Sequence, residues 1–438
     1  MRLPVGILGA LALAAFGLGG CGAGPRGRVV AAVEADDIDG ALEAYDELRE
    51  REGGDADLLG RVAARILDRE VHAEEDAVRS AALTQLGLAG TAGAPMLREL
   101  SQEPGVGPTR LGALVLLARR GDADARLALR SLADRDDPAI LAAAVLGMDP
   151  ELDRALLLEH ARAEDVTLRA AAVRQLGAVA AVDEVREALS VIARTDAEAE
   201  VRAAAVGALR RAGETVTDVL RERLGDPAPN VRMAAVDALA LADPGAARAA
   251  LLSLLEISVS AEGIEAARLL ATDEDEAAAS PARSFLRRAL ASEDAGLRIQ
   301  AGVALTGLPR DAEAPMDAVR EALATESDES VRLAFARALH RREDAAGRRA
   351  LEALLEGTPM TRVQAAALLG ADDHEGARAV LAEVLADADE PSLTRRTAAR
   401  ALARDAMRPD AVRGALRDPD AFVRIFAAGG ILAAAAAS

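Results

Sequence analysis

Cysteine occurs once in 438 residues, at position 21, tyrosine once, and tryptophan and lysine not at all. A single thiol excludes an intramolecular disulfide. Without lysine there can be no phosphate loop of the Gly-Lys-Ser/Thr type, because that loop needs an ammonium on the β- and γ-phosphates. Aromatic residues make up 1% of the chain, which argues against a β-sandwich, whose strands draw heavily on aromatic and β-branched side chains. The four histidines (His72, His160, His340 and His374) are far apart. Cations are outnumbered too: 52 arginines face 72 acids, for a net charge of −20. Such a surface repels nucleic acid and gains nothing from anionic lipid headgroups. What the chain does have is alanine, leucine and valine, within a hydrophobic content of 51%. Alanine and leucine are strong helix formers.

The lone cysteine has a telling position. Arg2 is followed by an apolar run from Leu3 to Leu18, interrupted only by Pro4 and glycines, and then by Leu18-Gly19-Gly20-Cys21. The run is short for a bilayer span, which takes about 20 apolar residues, and matches the apolar region of a secretory leader. It is similar to a bacterial lipoprotein signal, in which the cysteine becomes the mature N-terminus and carries the lipid. The resemblance implies a leader over 1–20, a lipidated Cys21, a flexible tether over 21–28 and a place in the cell envelope. Gly22, where an Asp would retain enterobacterial lipoproteins in the inner membrane, leans toward the outer membrane.

Beyond the tether the dominant signal is an internal repeat. The pattern apolar-Arg-x-x-Ala-x-x-x-Leu aligns twelve times, starting at Val78, Thr109, Ile140, Leu168, Val201, Val231, Glu262, Leu297, Val331, Thr361, Thr394 and Val423. The spacing of about 31 residues is that of a two-helix unit. The second position is arginine in ten copies (Arg79, Arg110, Arg169, Arg202, Arg232, Arg298, Arg332, Arg362, Arg395 and Arg424), with Leu141 and Gly263 the exceptions. The fifth is alanine in all but one copy, which has Phe335. The ninth is leucine, except Met148 and Ile431. Positions one, five and nine form one helical stripe. Asp-Pro pairs at Asp137-Pro138, Asp226-Pro227 and Asp418-Pro419 mark helix starts, with Asp as N-cap and Pro at the first helical position. Second amphipathic stretches over 246–256, 281–291, 316–324 and 376–386 complete the helix pairs.

With Asp226-Pro227-Ala228-Pro229-Asn230-Val231-Arg232-Met233-Ala234-Ala235 as its clearest instance, the repeat resembles the HEAT repeat, in the short variety also found in phycobilisome lyase-like proteins. The resemblance implies an all-α superhelical solenoid of about twelve helix pairs over 74–438. It also implies that the arginine column is a structural ladder between repeats, not a phosphate stripe. Acids just upstream (Asp76, Asp137, Asp165, Asp226, Asp294, Asp328 and Asp420) are placed to pair with it. Residues 29–73 are helical but off the pattern. They vaguely resemble a tetratricopeptide hairpin and are read as a polar N-terminal cap, which solenoids need.

No catalytic residue, cofactor or metal is assigned. Asp372-Asp373-His374-Glu375 is the one cluster with metal-ligand character, and its place at a helix start favours capping. HEAT-like deoxyhypusine hydroxylase holds iron with several repeated His-Glu pairs; this chain has only His374-Glu375. The expectation is a non-catalytic scaffold that binds a protein partner. The third and seventh pattern positions should line the concave side. Met233, Ile299, Leu333, Val363 and Ile425 of the third column, together with Phe422 and Phe426 near the uncharged C-terminus, are the candidate partner surface. Packing between neighbouring helices is the competing reading for the column, and packing at the end of the stack for the C-terminus. An accessory or metal-dependent role for His374, or a purely structural spacer, are the alternatives.

Overall fold

The computed structural model describes residues 24–256, 258–309, 313–370, 374–403 and 409–435. The leader, Cys21, Asp372 and Asp373 lie outside the described residues. Among the described residues there are α-helices and short 3-10 turns and no strand. The fold is an all-α solenoid. No described helix is long and apolar enough to cross a membrane. The first helix, Pro25–Glu34, begins inside the stretch expected to be a flexible tether, because Pro25 at its first turn is preset for helical φ and has no N–H to leave unpaired.

Carboxylate caps start the helices. Asp165 accepts from the Leu168 N–H, Asp294 from Leu297, and Asp328 from both Ser330 and Val331. Each such cap is worth about 1 kcal/mol. The Asp-Pro pairs divide. Asp137 caps the Pro138–Ala144 helix as expected. The next begins at Pro229, not Pro227, and the last at Ala421, capped by Asp420 instead of Asp418. The Asp226 and Asp418 carboxylates are held by arginines of the preceding repeat. Pro281, expected to open a helix, sits within Glu276–Ala289. Asp275 caps that helix one turn earlier. Pro281 and Ala277, whose carbonyl loses its donor, both face solvent, where water supplies the missing bond.

The described chain forms two compact units, one within Leu97–Val380 and a discontinuous one made of the described residues up to Met96 with those from Leu381 onward. In both, the repeat columns become the core. Every residue of the fifth column, from Ala82 to Ala427, is fully buried, and the ninth column is buried throughout. Small side chains in the one let inner helices approach, and leucines in the other fill the space beside them. In the Leu97–Val380 unit one continuous apolar cluster runs from Val145 to Leu339. Its two phenylalanines are each matched by a glycine. A Cβ on Gly302 would lie 2.4 Å from the Phe335 ring, and one on Gly263 would lie 2.7 Å from Phe285. The departure from alanine at 335 is thus offset by the loss of a side chain at 302. In the discontinuous unit the terminal helix, Ala421–Ala435, packs most extensively on Ala56–Glu70 and also on Asp76–Leu88.

The Gly302–Phe335 match predicts strong coupling. Gly302→Ala alone should destabilise the protein by about 1–3 kcal/mol through overpacking, and Phe335→Ala alone by about 3–5 kcal/mol. The double variant, which restores alanine to its column, should cost clearly less than their sum, as read by urea denaturation. Additive costs would mean that the two positions are not compensating.

Candidate protein-binding surfaces

The ladder arginines are shared between repeats. Arg202 donates from Nε and Nη2 to the two carboxylate oxygens of Asp226, both at 2.9 Å, and from Nη1 to the carbonyls of Asp196 and Ala197 at 2.9 and 3.0 Å. The carbonyl of Asp226 in turn accepts from Nη1 of Arg232 at 2.7 Å, and Arg232 grips Glu262. One repeat earlier, Arg169 holds the Asp196 carboxylate at 3.1 Å. A relay therefore runs Arg169, Asp196, Arg202, Asp226, Arg232, Glu262, each acid offering its side chain to one repeat and, in Asp196 and Asp226, its backbone to the next. Arg298 makes the same fork with Glu326 and with the Ser292 and Glu293 carbonyls. The acids immediately upstream mostly cap helices, while Arg169, Arg202, Arg232, Arg298 and Arg395 take their partner acid from the following repeat. Arg79, paired with Asp76 of its own repeat, is an exception. Arg110 donates to the Ser101 and Gly105 carbonyls. The Asp226 side chain is 1% exposed and that of Arg202 is 11%. The Arg202 hydrogen bond, against the cost of burial, holds the Asp226 carboxyl below its usual range.

In the discontinuous unit the relay continues across the chain ends. Arg395 donates to the Asp418 carboxylate at 2.5 Å, and the Asp418 carbonyl accepts from Nη1 of Arg424 at 2.8 Å. The remaining fork of Arg424 goes to Glu70, 2.6 Å from Nη2. Glu70, from the N-terminal hairpins, thus takes the part that an acid of the next repeat plays elsewhere. Gly60 lets the far end of the Ala421–Ala435 helix approach Ala56–Glu70, since a Cβ there would lie 2.9 Å from that of Ala435. Arg413 and Arg417 approach Asp46 at 2.9 and 3.1 Å, the former at ion-pair distance without hydrogen-bond alignment. The Ala421–Ala435 helix is therefore covered, and the N-terminal helices bury an apolar face against it instead of serving only as a polar cap.

The third column is packing, not a free face. Leu333, Val363 and Ile425 are buried. Met233 and Ile299 are half-buried against the core. Phe422 lies under the Arg396 guanidinium, 4.1 Å from its ring centroid, and Phe426 is half-buried. The neighbouring inner helices close over that flank. His374 accepts the Ala377 N–H on Nδ1 at 3.1 Å, so it caps the Glu375–Ala386 helix. His160 is buried, with its Nε2 unpaired, and burial lowers its pKa against the pull of Glu159.

Part of the seventh column remains exposed, while Gly429 is buried and Val115, Leu146 and Ala367 are half-buried. Arg174, Gly207, Asp237 and Arg268 all face solvent. Arg174, Gly207 and Asp237 line a trough of about 480 Å³ across three inner helices, Val166–Leu176, Ala199–Leu209 and Pro229–Ala242. Clefts also lie between outer helices beside ladder pairs, one of about 720 Å³ at Arg169 and Asp196, another of about 470 Å³ at Arg232 and Glu262. They recur with the repeat and follow from its geometry. The pattern of apolar positions carried no sign of Glu70 or of the trough arginines, since neither belongs to a repeating apolar column.

The HEAT-repeat family model matches residues 154–240 and 185–271. The chain thus carries HEAT repeats. Search of curated proteins finds no match. Among solved structures, the chain is similar to one from the Kap95p–RanGDP study, at 14% identity over 84% of this chain and 60% of that one, with a TM-score of 0.35. It is also similar to importin beta (14%, 88% and 60%, TM-score 0.31) and to Kap121p bound to Pho4p (15%, 84% and 48%, TM-score 0.33). The chain spans about half to three-fifths of the length of these proteins.

Two outcomes follow from the buried polar groups. Asp226→Ala should cost about 3–5 kcal/mol, because it strands a largely buried guanidinium. Since folding lowers the Asp226 pKa, its contribution is full above the unfolded value of 3.8 and is lost as the pH falls below it. A urea titration of wild type and variant at pH 7 and pH 3 should show the gap narrowing; an unchanged gap would refute the assignment. His160 precedes Arg169 by the interval at which Leu323 precedes Arg332. His160→Leu should therefore stabilise, and more so at pH 5.5 than at pH 8, because a lowered histidine pKa means that acid favours the unfolded chain.

Proposed function

We propose that the chain is a lipid-anchored, non-catalytic protein-binding scaffold of the bacterial cell envelope. The observation that carries the reading is where the polar chemistry goes. The ladder arginines and their acids join repeat to repeat, and His374 of the cluster with metal-ligand character is committed to a helix cap. What the HEAT array presents to its surroundings is shaped surface, and protein binding is the role that suits it. The anchor rests on the Leu18-Gly19-Gly20-Cys21 motif. Each buried methylene of an acyl chain contributes about 0.8 kcal/mol, so several chains on one thiol hold a protein at a membrane essentially permanently.

Cys21→Ser should move the protein from the membrane fraction to the soluble fraction of expressing cells; equal membrane retention would refute the anchor. Cross-linking of the lipidated protein in cells, followed by affinity capture, should recover a recurrent protein partner. Repeated recovery of none would leave a structural spacer. One tightly bound transition metal per purified chain, lost in His374→Ala, would replace the scaffold reading with a metal-dependent role.

A further inference from the structure

We propose that the trough across the three inner helices Val166–Leu176, Ala199–Leu209 and Pro229–Ala242 docks an acidic peptide segment of the protein partner. The proposal rests on the scaffold reading and deepens it. The floor is small: Ala178, Ala204, Gly207, Ala208 and Ala234. A Cβ on Gly207 would meet nothing within 4 Å, so the surface there is open to an approaching backbone.

The walls bear the charge. Arg174, Arg210 and Arg211 line the trough against a single acid, Asp237. Arg210 and Arg211 are exposed, and among the described residues neither has a carboxylate at ion-pair distance. Arg287 and Arg288 are likewise adjacent, exposed and without a carboxylate at ion-pair distance among the described residues, but they do not line this trough. Arg174 is paired with Glu200 at 2.6 Å, but both side chains are more than half exposed. Such a pair is worth little and exchanges readily for another carboxylate. Asp237 offsets one of the three lining arginines and leaves two guanidiniums in excess.

A helix-end role accounts for part of this. Arg210 follows the last turn of Ala199–Leu209, where a cation complements the helix dipole. That explains a charge near the helix end but not why two guanidiniums line one open trough over a small-residue floor. The net charge of −20 repels an acidic ligand at long range. At physiological ionic strength, however, screening sets in over about 8 Å, so a short segment in the trough meets the arginines and little else. A long polyanion such as nucleic acid would extend beyond the trough over the acidic surface, which disfavours it.

The test uses the full lipidated chain in detergent and a fluorescein-labelled decapeptide of alternating Glu and Ala, read by fluorescence anisotropy in 0.15 M salt. Saturable binding is expected, weakened at least ten-fold in the Arg210→Gln/Arg211→Gln double variant. It should be unchanged in Arg287→Gln/Arg349→Gln, which loses the same charge from elsewhere. Melting temperature and circular dichroism of both variants should match wild type. Four results would each overturn the proposal: no saturable binding, equal affinity in the trough variant, equal loss in both double variants, or equally effective competition by a decameric single-stranded oligonucleotide. Capture from cells separates this proposal from the scaffold reading. If the peptide fails but wild type still recovers a recurrent partner, only the trough assignment falls; if no partner is recovered either, the scaffold reading falls with it.

Discussion

The structure depends on a guanidinium shared between repeats. A two-helix unit of about 31 residues buries little on its own, and alanine-lined helices can slide against one another at small cost in packing. The ladder arginine removes that freedom. Its Nη1 fixes the carbonyls of the turn before its own helix, and its Nε and Nη2 fix an acid in the following repeat, as in Arg202 with Asp196, Ala197 and Asp226. Because Asp196 and Asp226 each supply a side chain in one direction and a carbonyl in the other, neighbouring links share an atom framework, and the spacing between repeats propagates.

The acids divide their work. An aspartate next to a helix start can satisfy its N–H groups, reach back to an earlier arginine, or do both, as Asp243 and Asp344 do. Asp165, Asp294 and Asp328 cap; Asp226 and Asp418 hold arginines, and their helices start later. Asp420 shows what a cap can also carry. Burial pushes its carboxyl up, but Arg396, Ser392 and the Val423 N–H outweigh that and hold it down to about 2.

The fold was legible because its information is periodic. The Ala and Leu columns alone place every inner helix, and all of them are buried. The arginine column was legible as a ladder through its family resemblance. The direction of its pairing was not, since sequence proximity favours Asp165 for Arg169 whereas the structure gives it Asp196. Third-column residues such as Val363 and Ile425 read as a surface because their apolarity does not say which neighbour covers them; an inner helix is flanked on both sides, so both flanks are lost to packing. The pairing of Arg424 with Glu70 was out of reach for a similar reason. The rule that an arginine takes its acid from the next repeat has no successor to point to at the last repeat, and nothing local indicates that the first hairpins supply it.

The absence of lysine gains a structural meaning in this light. An ammonium offers three donors from one point and cannot span a bidentate carboxylate and two carbonyls at once, whereas the planar guanidinium has five donors in a fixed fork. Arg202 uses four hydrogen bonds in that way. The requirement applies to the ladder, not to exposed sites, where lysine would serve as well. Composition alone therefore cannot separate working arginines from incidental ones; fork occupancy can. Arg169, Arg202, Arg232, Arg298 and Arg424 have their forks filled from within the chain. Arg210 and Arg211, with no carboxylate of their own among the described residues, keep the same geometry available for a carboxylate from outside.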